Sequence, residues 1–521
     1  MSNDPEPLSS GPPQSAPDRQ DELDRRIVRS SLWVGLSFGG GQLLSIAAML
    51  VLARVLTPAD FGLVALATLL VTILGFIQES GVGSALVHFR DDPRATAASA
   101  LVFSSASGLA IACVVALAAP LYASFVNTPG VTDLVRALSV LLVFRGLSVV
   151  PSAILERELD FKTRVKSDLA SYTVQASVAV GCALAGLGVW SIVVGLIAAA
   201  ATHTVVVWFL VPWRPSPRDA SLDMLRKMMR YGRFVSAANL LNVLTNSMDN
   251  LAVGRFLGSA SVGAYALAWR FAELPSTVIG PIVGRAMFSA YSQVQDDLGA
   301  VRRLYLQNMQ RTVILGLAPT VALAIAADPI VPAVLGPQWT ATETPLRILC
   351  IFGFIRLVVA PAGELLKGIG KPHLGLITVT VFAIVAFVSL VVLVPRFGTS
   401  GAASAMVTAI LAATAVTLRN LRRALELPTR QFIGALARPA ACSLPLALTL
   451  LVLLPVSDKL SPGWALVLLT AVGVPVFLGS LAAFGRPVIG PVWAALRPPK
   501  LPDDPHRRPQ PGESDKPALI G

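Results

Sequence analysis

Fourteen uninterrupted apolar runs constrain this chain more than any other feature, each near the roughly 20 residues that cross a bilayer's hydrocarbon core. They fall near 31–53, 62–78, 97–119, 138–155, 169–186, 190–211, 234–254, 262–288, 312–335, 347–366, 374–394, 399–418, 440–456 and 463–484. The runs are too long for strands and lack the dyad alternation of a membrane barrel. The expected fold class is all-α: a polytopic membrane protein of about 14 transmembrane helices. Composition agrees. Of 521 residues 54% are hydrophobic and 14% charged, and mean hydropathy is +0.68, whereas soluble domains run near 45–50% and about 25%.

The net charge of +12 would raise the question of nucleic acid in a soluble protein. Here 32 of the 42 Lys and Arg residues lie in the two tails and the even-numbered connections. The opposite side holds only Arg54, Arg136, Arg255, Arg347, Arg396 and Lys459. By the positive-inside rule both termini are cytoplasmic, the charge is mainly a topology signal, and no nucleic-acid partner is expected. Cys113, Cys182, Cys350 and Cys442 lie far apart, as do the four histidines. No metal or nucleophile constellation forms, so no catalytic residue, no metal site and no cofactor is expected, and the chain reads as a non-enzyme.

The sequence repeats itself. ARVLTPADFGLVALA (53–67) matches GRFLGSASVGAYALA (254–268) at seven of fifteen positions with an offset of 201, including Arg54/Arg255 and Gly62/Gly263. LAGLGVWS (184–191) and VPRFGTSG (394–401) recur at an offset of 210 as very short links between spans. Two six-span lobes in the same orientation follow, an arrangement that permits one lobe to rock against the other. The expected division is a polar cytoplasmic tail (1–30), a first lobe (31–211), an amphipathic linker (212–233), a second lobe (234–418), a basic linker (419–439), two extra helices (440–484) and a disordered tail (485–521). The basic segments LDMLRKMMRYGRF (222–234) and RNLRRALEL (419–427) read as surface helices near anionic headgroups.

Polar groups inside the spans are the candidate site. Asn239, Asn242, Asn246, Asp249 and Asn250 of the seventh span fall within about 100° of helical arc. That stripe reads either as interhelical hydrogen bonding or as the wall of a water-filled cavity, with Asp249 the costly member. The eighth span carries Arg270, Glu273 and Arg285 with Pro275 and Gly280-Pro281. Arg270 and Glu273 can pair at i,i+3, and the prolines can kink or break the helix. Arg145 and Arg356 occupy equivalent spans of the two lobes; an Arg356/Glu364 pair through a neighbouring helix is an alternative to a cationic lining. Excess Arg at this depth suits an anionic ligand, whose oxygens a guanidinium holds in paired hydrogen bonds. Arg54 and Arg255, at outer span ends, read as interfacial residues or guards of the cavity mouth, and Glu79 as an interfacial cap.

LARVLTPADFGLVALA (52–67), ESGVGSALVH (79–88), ILERELDFKTR (154–164), GRFLGSASVGAYALAWRFAELP (254–275), FSAYSQVQDD (288–297) and VLGPQWTATETPLRIL (334–349) resemble the polysaccharide transporters of the multidrug/oligosaccharidyl-lipid/polysaccharide exporter superfamily, which includes O-antigen flippases and colanic-acid-type exporters. The resemblance covers about residues 25 to 485. It implies a two-lobed, fourteen-helix protein of the bacterial inner membrane that moves a polyprenyl-diphosphate-linked oligosaccharide between leaflets by alternating access, for lipopolysaccharide, capsule or exopolysaccharide. Arg145, Arg270, Arg285 and Arg356 would meet the diphosphate, and Asn239, Asn242, Asn246 and Asn250 the sugar hydroxyls. Asp249, Glu273 or Glu364 would couple the cycle to protons or sodium. A polysaccharide polymerase and export machinery would be partners alongside the membrane lipids. The alternatives are a peptidoglycan-precursor flippase and a cation-coupled drug or metabolite antiporter.

Overall fold

A computed structural model describes residues 40–78, 93–157, 161–211, 217–294, 297–457 and 459–485. The first lobe comprises α1 (Gly40–Val55), α2 (Pro58–Gln78), α3 (Pro93–Phe125), α4 (Val131–Leu138), α5 (Val140–Arg157), α6 (Phe161–Leu184) and α7 (Trp190–Leu210). The second comprises α8 (Leu222–Leu257), α9 (Ser259–Gln293), α10 (Leu298–Ile325), α11 (Ala327–Val334), α12 (Glu343–Gly368) and α13 (Pro372–Leu425), followed by α14 (Thr429–Ser457) and α15 (Pro462–Ser480). Eight helices among the described residues are long and apolar enough to cross a membrane, or nine if α10 and α11, bent by 84°, are one span. The chain is a multi-pass, all-helical membrane protein.

Local chemistry sets several boundaries. Before α2, the Thr57 backbone N–H donates to Asp60 Oδ2 (3.0 Å) and the Asp60 N–H to Thr57 Oγ1 (3.3 Å), a reciprocal capping box. Asp297 caps α10 by accepting from the Ala300 N–H (3.0 Å), and Pro372 and Pro462 open α13 and α15, where a missing N–H costs nothing. Two expected boundaries shift. The run at 312–335 is not one straight span, because the chain turns sharply after Ile325. The basic stretch 222–234 is the start of α8 itself, and 419–425 is the end of α13, so no separate surface helices form there. α9 stays a single helix through Pro275 and Gly280-Pro281, so of the kink or break that these residues allow, the break does not occur.

The repeat is visible in the backbone. Gly188 (φ 54°), between α6 and α7, and Gly398 (φ 62°), inside α13, are 210 residues apart and both left-handed; α13 is therefore two spans joined at a tight glycine turn. The lobes meet along α2 and α9. A Cβ on Gly62 would overlap the Ser259 carbonyl, and one on Gly263 the Pro58 carbonyl. Both contacts link positions related by the 201-residue offset, so the helices cross at a local two-fold axis. Ala53, Leu66, Val262, Tyr265 and Trp339 are among the buried residues there. α14 packs on α10, and α15 on α14 and α11.

Candidate functional site

Two adjacent cavities border α2 and α7 and share Thr68 and Leu196 in their walls. The smaller, about 340 Å³, is walled by α1, α2, α6 and α7 of the first lobe, with Ser45, Thr68, Tyr172 and Gln175 as its polar groups. Arg270 enters it from α9 of the second lobe. Arg270 has no ion pair or hydrogen bond with any described residue, so the expected pairing with Glu273 does not form. The larger, about 630 Å³, is lined by Arg145, Glu156, Arg164, His203, Thr72 and Ser152, among others. Arg145 lies 6.0 Å from the centre of the Phe76 ring, in space that a side chain on Gly75 would fill. Arg164 pairs with Glu156 (3.3 Å), and His203 faces Asp168 (3.7 Å).

A second polar group runs through the other lobe. Asp249 on α8 is fully buried. It accepts from Tyr265 Oη (3.0 Å), from the Asn250 backbone N–H (2.8 Å) and from Asn250 Nδ2 (3.4 Å). One and two turns along α9, Trp269 Nε1 donates to Glu273 Oε2 (3.0 Å), and Glu273 Oε1 pairs with Arg356 Nη1 of α12 at 2.5 Å. The Tyr265 and Trp269 rings lie tilted with centroids 6.3 Å apart, and Trp269 packs on Phe352 at 4.8 Å. The file Asp249, Tyr265, Trp269, Glu273, Arg356 therefore crosses three helices.

The sequence-expected residues divide accordingly. Arg356 is neutralised by Glu273 and not by Glu364, which instead pairs with Lys367 one turn along (3.1 Å). In the polar stripe Asn246 is exposed, Asn250 half-buried and Asp249 buried, so the stripe is not uniformly wet: its Asp249 edge faces α9. Asn239, Asn242 and Arg285 lie on α8 and α9, but their side chains, like all of Glu79, fall outside the described residues. Sequence reasoning missed Tyr265 and Trp269, although their spacing with Glu273, four residues each, marks one helix face. It also missed Thr68, Tyr172 and Gln175, polar residues scattered singly among apolar neighbours.

A family model described as polysaccharide biosynthesis protein matches residues 51–343, more than half of the chain. The chain belongs to the polysaccharide biosynthesis protein family. The matched stretch contains Arg145, Asp249, Arg270 and Glu273, and stops short of Arg356 and Glu364. This family member is 23% identical over 333 residues to the lipopolysaccharide biosynthesis protein WzxC of Escherichia coli (62% of this chain, 66% of the relative). It is 27% identical over 349 residues to the succinoglycan biosynthesis transport protein ExoT of Rhizobium meliloti (67% and 70%). Among solved structures it superposes on a lipid II flippase MurJ in an inward closed conformation (TM-score 0.72, 14% identity, 88% of this chain, 99% of the other). An inward-facing multidrug resistance MATE transporter also superposes (TM-score 0.63, 18% identity, 74% and 95%). The shared fold is the two-lobed transporter architecture that the repeat predicts.

Proposed function

We propose that this family member is a flippase for polyprenyl-diphosphate-linked oligosaccharides in the bacterial inner membrane, both termini cytoplasmic, serving lipopolysaccharide, capsule or exopolysaccharide synthesis. The observation that carries the reading is Arg270, a cation without a described partner, reaching from one lobe into a cavity walled by the other. An anion bound there touches both lobes, so its arrival and release can be tied to lobe movement. A diphosphate with several sugars cannot cross hydrocarbon unaided, whereas hydroxyl and amide walls such as Thr68, Tyr172 and Gln175 suit sugar hydroxyls while the polyprenyl chain stays in lipid. Arg145, on the contiguous larger cavity, extends the cationic wall. Asp249, buried against Tyr265, is the group we assign to proton or sodium coupling, and a polysaccharide polymerase would receive the product. The relatives named for transport and biosynthesis of polysaccharides support this reading over catalysis.

The test is leaflet accessibility of a lipid-linked oligosaccharide in cells lacking the gene. Deletion should trap substrate in the inner leaflet, the intact gene should restore outer-leaflet exposure, and Arg270→Ala should cut that restoration at least tenfold, the loss of about 1.4 kcal/mol of binding. Unchanged exposure on deletion, in cells without a second flippase, would refute transport; full activity of Arg270→Ala would refute the phosphate role alone. The likeness to a lipid II flippase favours one second reading, a peptidoglycan-precursor flippase, for which rescue of a strain lacking its own lipid II flippase would be the signature.

A further inference from the structure

Arg54 and Arg255 are equivalent in the repeat, and each clasps the opposite lobe. Arg54, in the last turn of α1, donates through Nε to the Val334 carbonyl (3.1 Å) and through Nη2 to the Ala333 carbonyl, at the end of α11 in the second lobe. Arg255, in the last turn of α8, reaches the first lobe. With the Asn127 amide oriented so that its Nδ2 donates to the Ser124 carbonyl (3.2 Å), Asn127 Oδ1 accepts from Arg255 Nη1 at 2.5 Å. The amide orientation follows from the hydrogen bonds, as it must for an Asn side chain.

The corners they grip correspond too. Each turns on a left-handed residue, Asn127 (φ 52°) after α3 and Gly336 (φ 113°) after α11, separated by 209 residues, close to the offset of the repeat. Between the two arginines lies the α2/α9 crossing at Gly62 and Gly263. Two clasps related by one local axis, flanking the contact on which the lobes touch backbone to backbone, are what a symmetric closure requires. An arginine that only anchored its helix to headgroups would point into the interface region, not into the other lobe's backbone.

We propose that Arg54 and Arg255 are paired positioning residues of the transport cycle: together they hold the lobes shut at the end where cations are sparse, with Arg255 the latch whose release lets that end open. The clasps are unequal. The Ala53 carbonyl also accepts from Gln338 Nε2 and Trp339 Nε1 (2.8 Å each), and Trp339, fully buried, meets Phe61 edge-on at 5.2 Å. Among the described residues, the clasp on the Arg255 side is made with Asn127. Release of Arg255 therefore opens the closure more readily than release of Arg54, because the Trp339 corner stays attached when Arg54 goes.

This inference rests on the flippase reading only in requiring that the lobes move. Its test reads movement directly, in the full chain with its four cysteines replaced. One reporter, Ala268→Cys, sits on α9 five residues past Gly263 and is fully buried; the other, Thr72→Cys, is exposed in the larger cavity. A membrane-impermeant maleimide is applied from each side of proteoliposomes. In Arg54→Ala/Arg255→Ala we expect labelling of the Ala268 reporter from the sparse-cation side to rise several-fold and labelling of the Thr72 reporter from the other side to fall. Arg255→Ala alone should give most of the effect and Arg54→Ala little. Asn127→Gly, which tolerates the left-handed backbone and leaves Arg255 in place, should match Arg255→Ala. Unchanged labelling of the Ala268 reporter overturns the proposal. So does a rise at both reporters together, which is general loosening and not a shift between two closed ends. A chain that labels as expected yet moves no oligosaccharide would retain the clasps and lose the substrate assignment.

Discussion

Glu273 shows how one side chain decides the roles of its neighbours. One carboxylate oxygen takes the Trp269 indole N–H and the other the Arg356 guanidinium, so the two charges cancel among Phe352, Phe382 and the Trp269 ring. Removing one partner leaves an uncompensated charge, which costs about 3–5 kcal/mol when fully buried. Arg356 and Glu273 keep 37% and 22% of their side-chain exposure, and roughly 1–3 kcal/mol is the matching expectation. Glu273→Leu and Arg356→Met should each lower the unfolding midpoint in detergent by more than the double replacement does, a coupling that a four-protein cycle measures. Additive losses would mean that the pair contributes nothing. The residues of this pair were legible in the sequence as polar groups in apolar spans, but their pairing was not. A helical wheel gives the azimuth of Asp249 or Glu273, and it cannot say which helix stands opposite. Hence Arg270 and Arg356 look equivalent in the sequence, yet only Arg270 is left facing a cavity without a described partner.

Elements were more legible than pairings, because the length of an apolar run is fixed by the bilayer and by the 1.5 Å rise of the helix. The expected spans within the described residues fall on helices, except that the run at 312–335 is broken after Ile325, and the links at Gly188 and Gly398 fall where the repeat places them. The surface helices failed for a physical reason: α8 and α13 gain a backbone hydrogen bond with each added residue, so basic turns beyond the apolar run simply extend the helix. The glycine links yield a prediction at this scale. An alanine at a left-handed position costs roughly 1–2 kcal/mol, and nothing lies within contact of a Cβ at Gly188 or Gly398, so strain is the only effect there. Gly188→Ala and Gly398→Ala should each lower thermal stability, while Gly434→Ala, with open space and ordinary helical backbone, should be neutral or slightly stabilising. A loss at only one of the two links would break the structural equivalence of the lobes.

For the whole molecule, the two-fold crossing of α2 and α9 makes the lobes' relative position depend on two missing side chains. The sequence displays Gly62/Gly263 as one identity among seven. Only the structure reveals that each glycine meets the carbonyl of the other's helix start, a relation between halves that alignment of the halves cannot express. Because the obstructing atoms are backbone, not the ends of flexible side chains, even one methyl forces the lobes apart; overpacking of this kind costs about 1–3 kcal/mol. Gly62→Ala and Gly263→Ala are therefore expected to act alike. Each should raise thiol labelling of the Ala268 reporter from the sparse-cation side with both arginines intact, and slow oligosaccharide exposure in the outer leaflet, since a wedged closure cannot complete the return half of the cycle. Gly479→Ala, where an added methyl meets open space, is the control and should change neither readout. If the two crossing variants instead lowered stability without altering labelling, the crossing would be a packing contact alone, and lobe movement would have to pivot elsewhere.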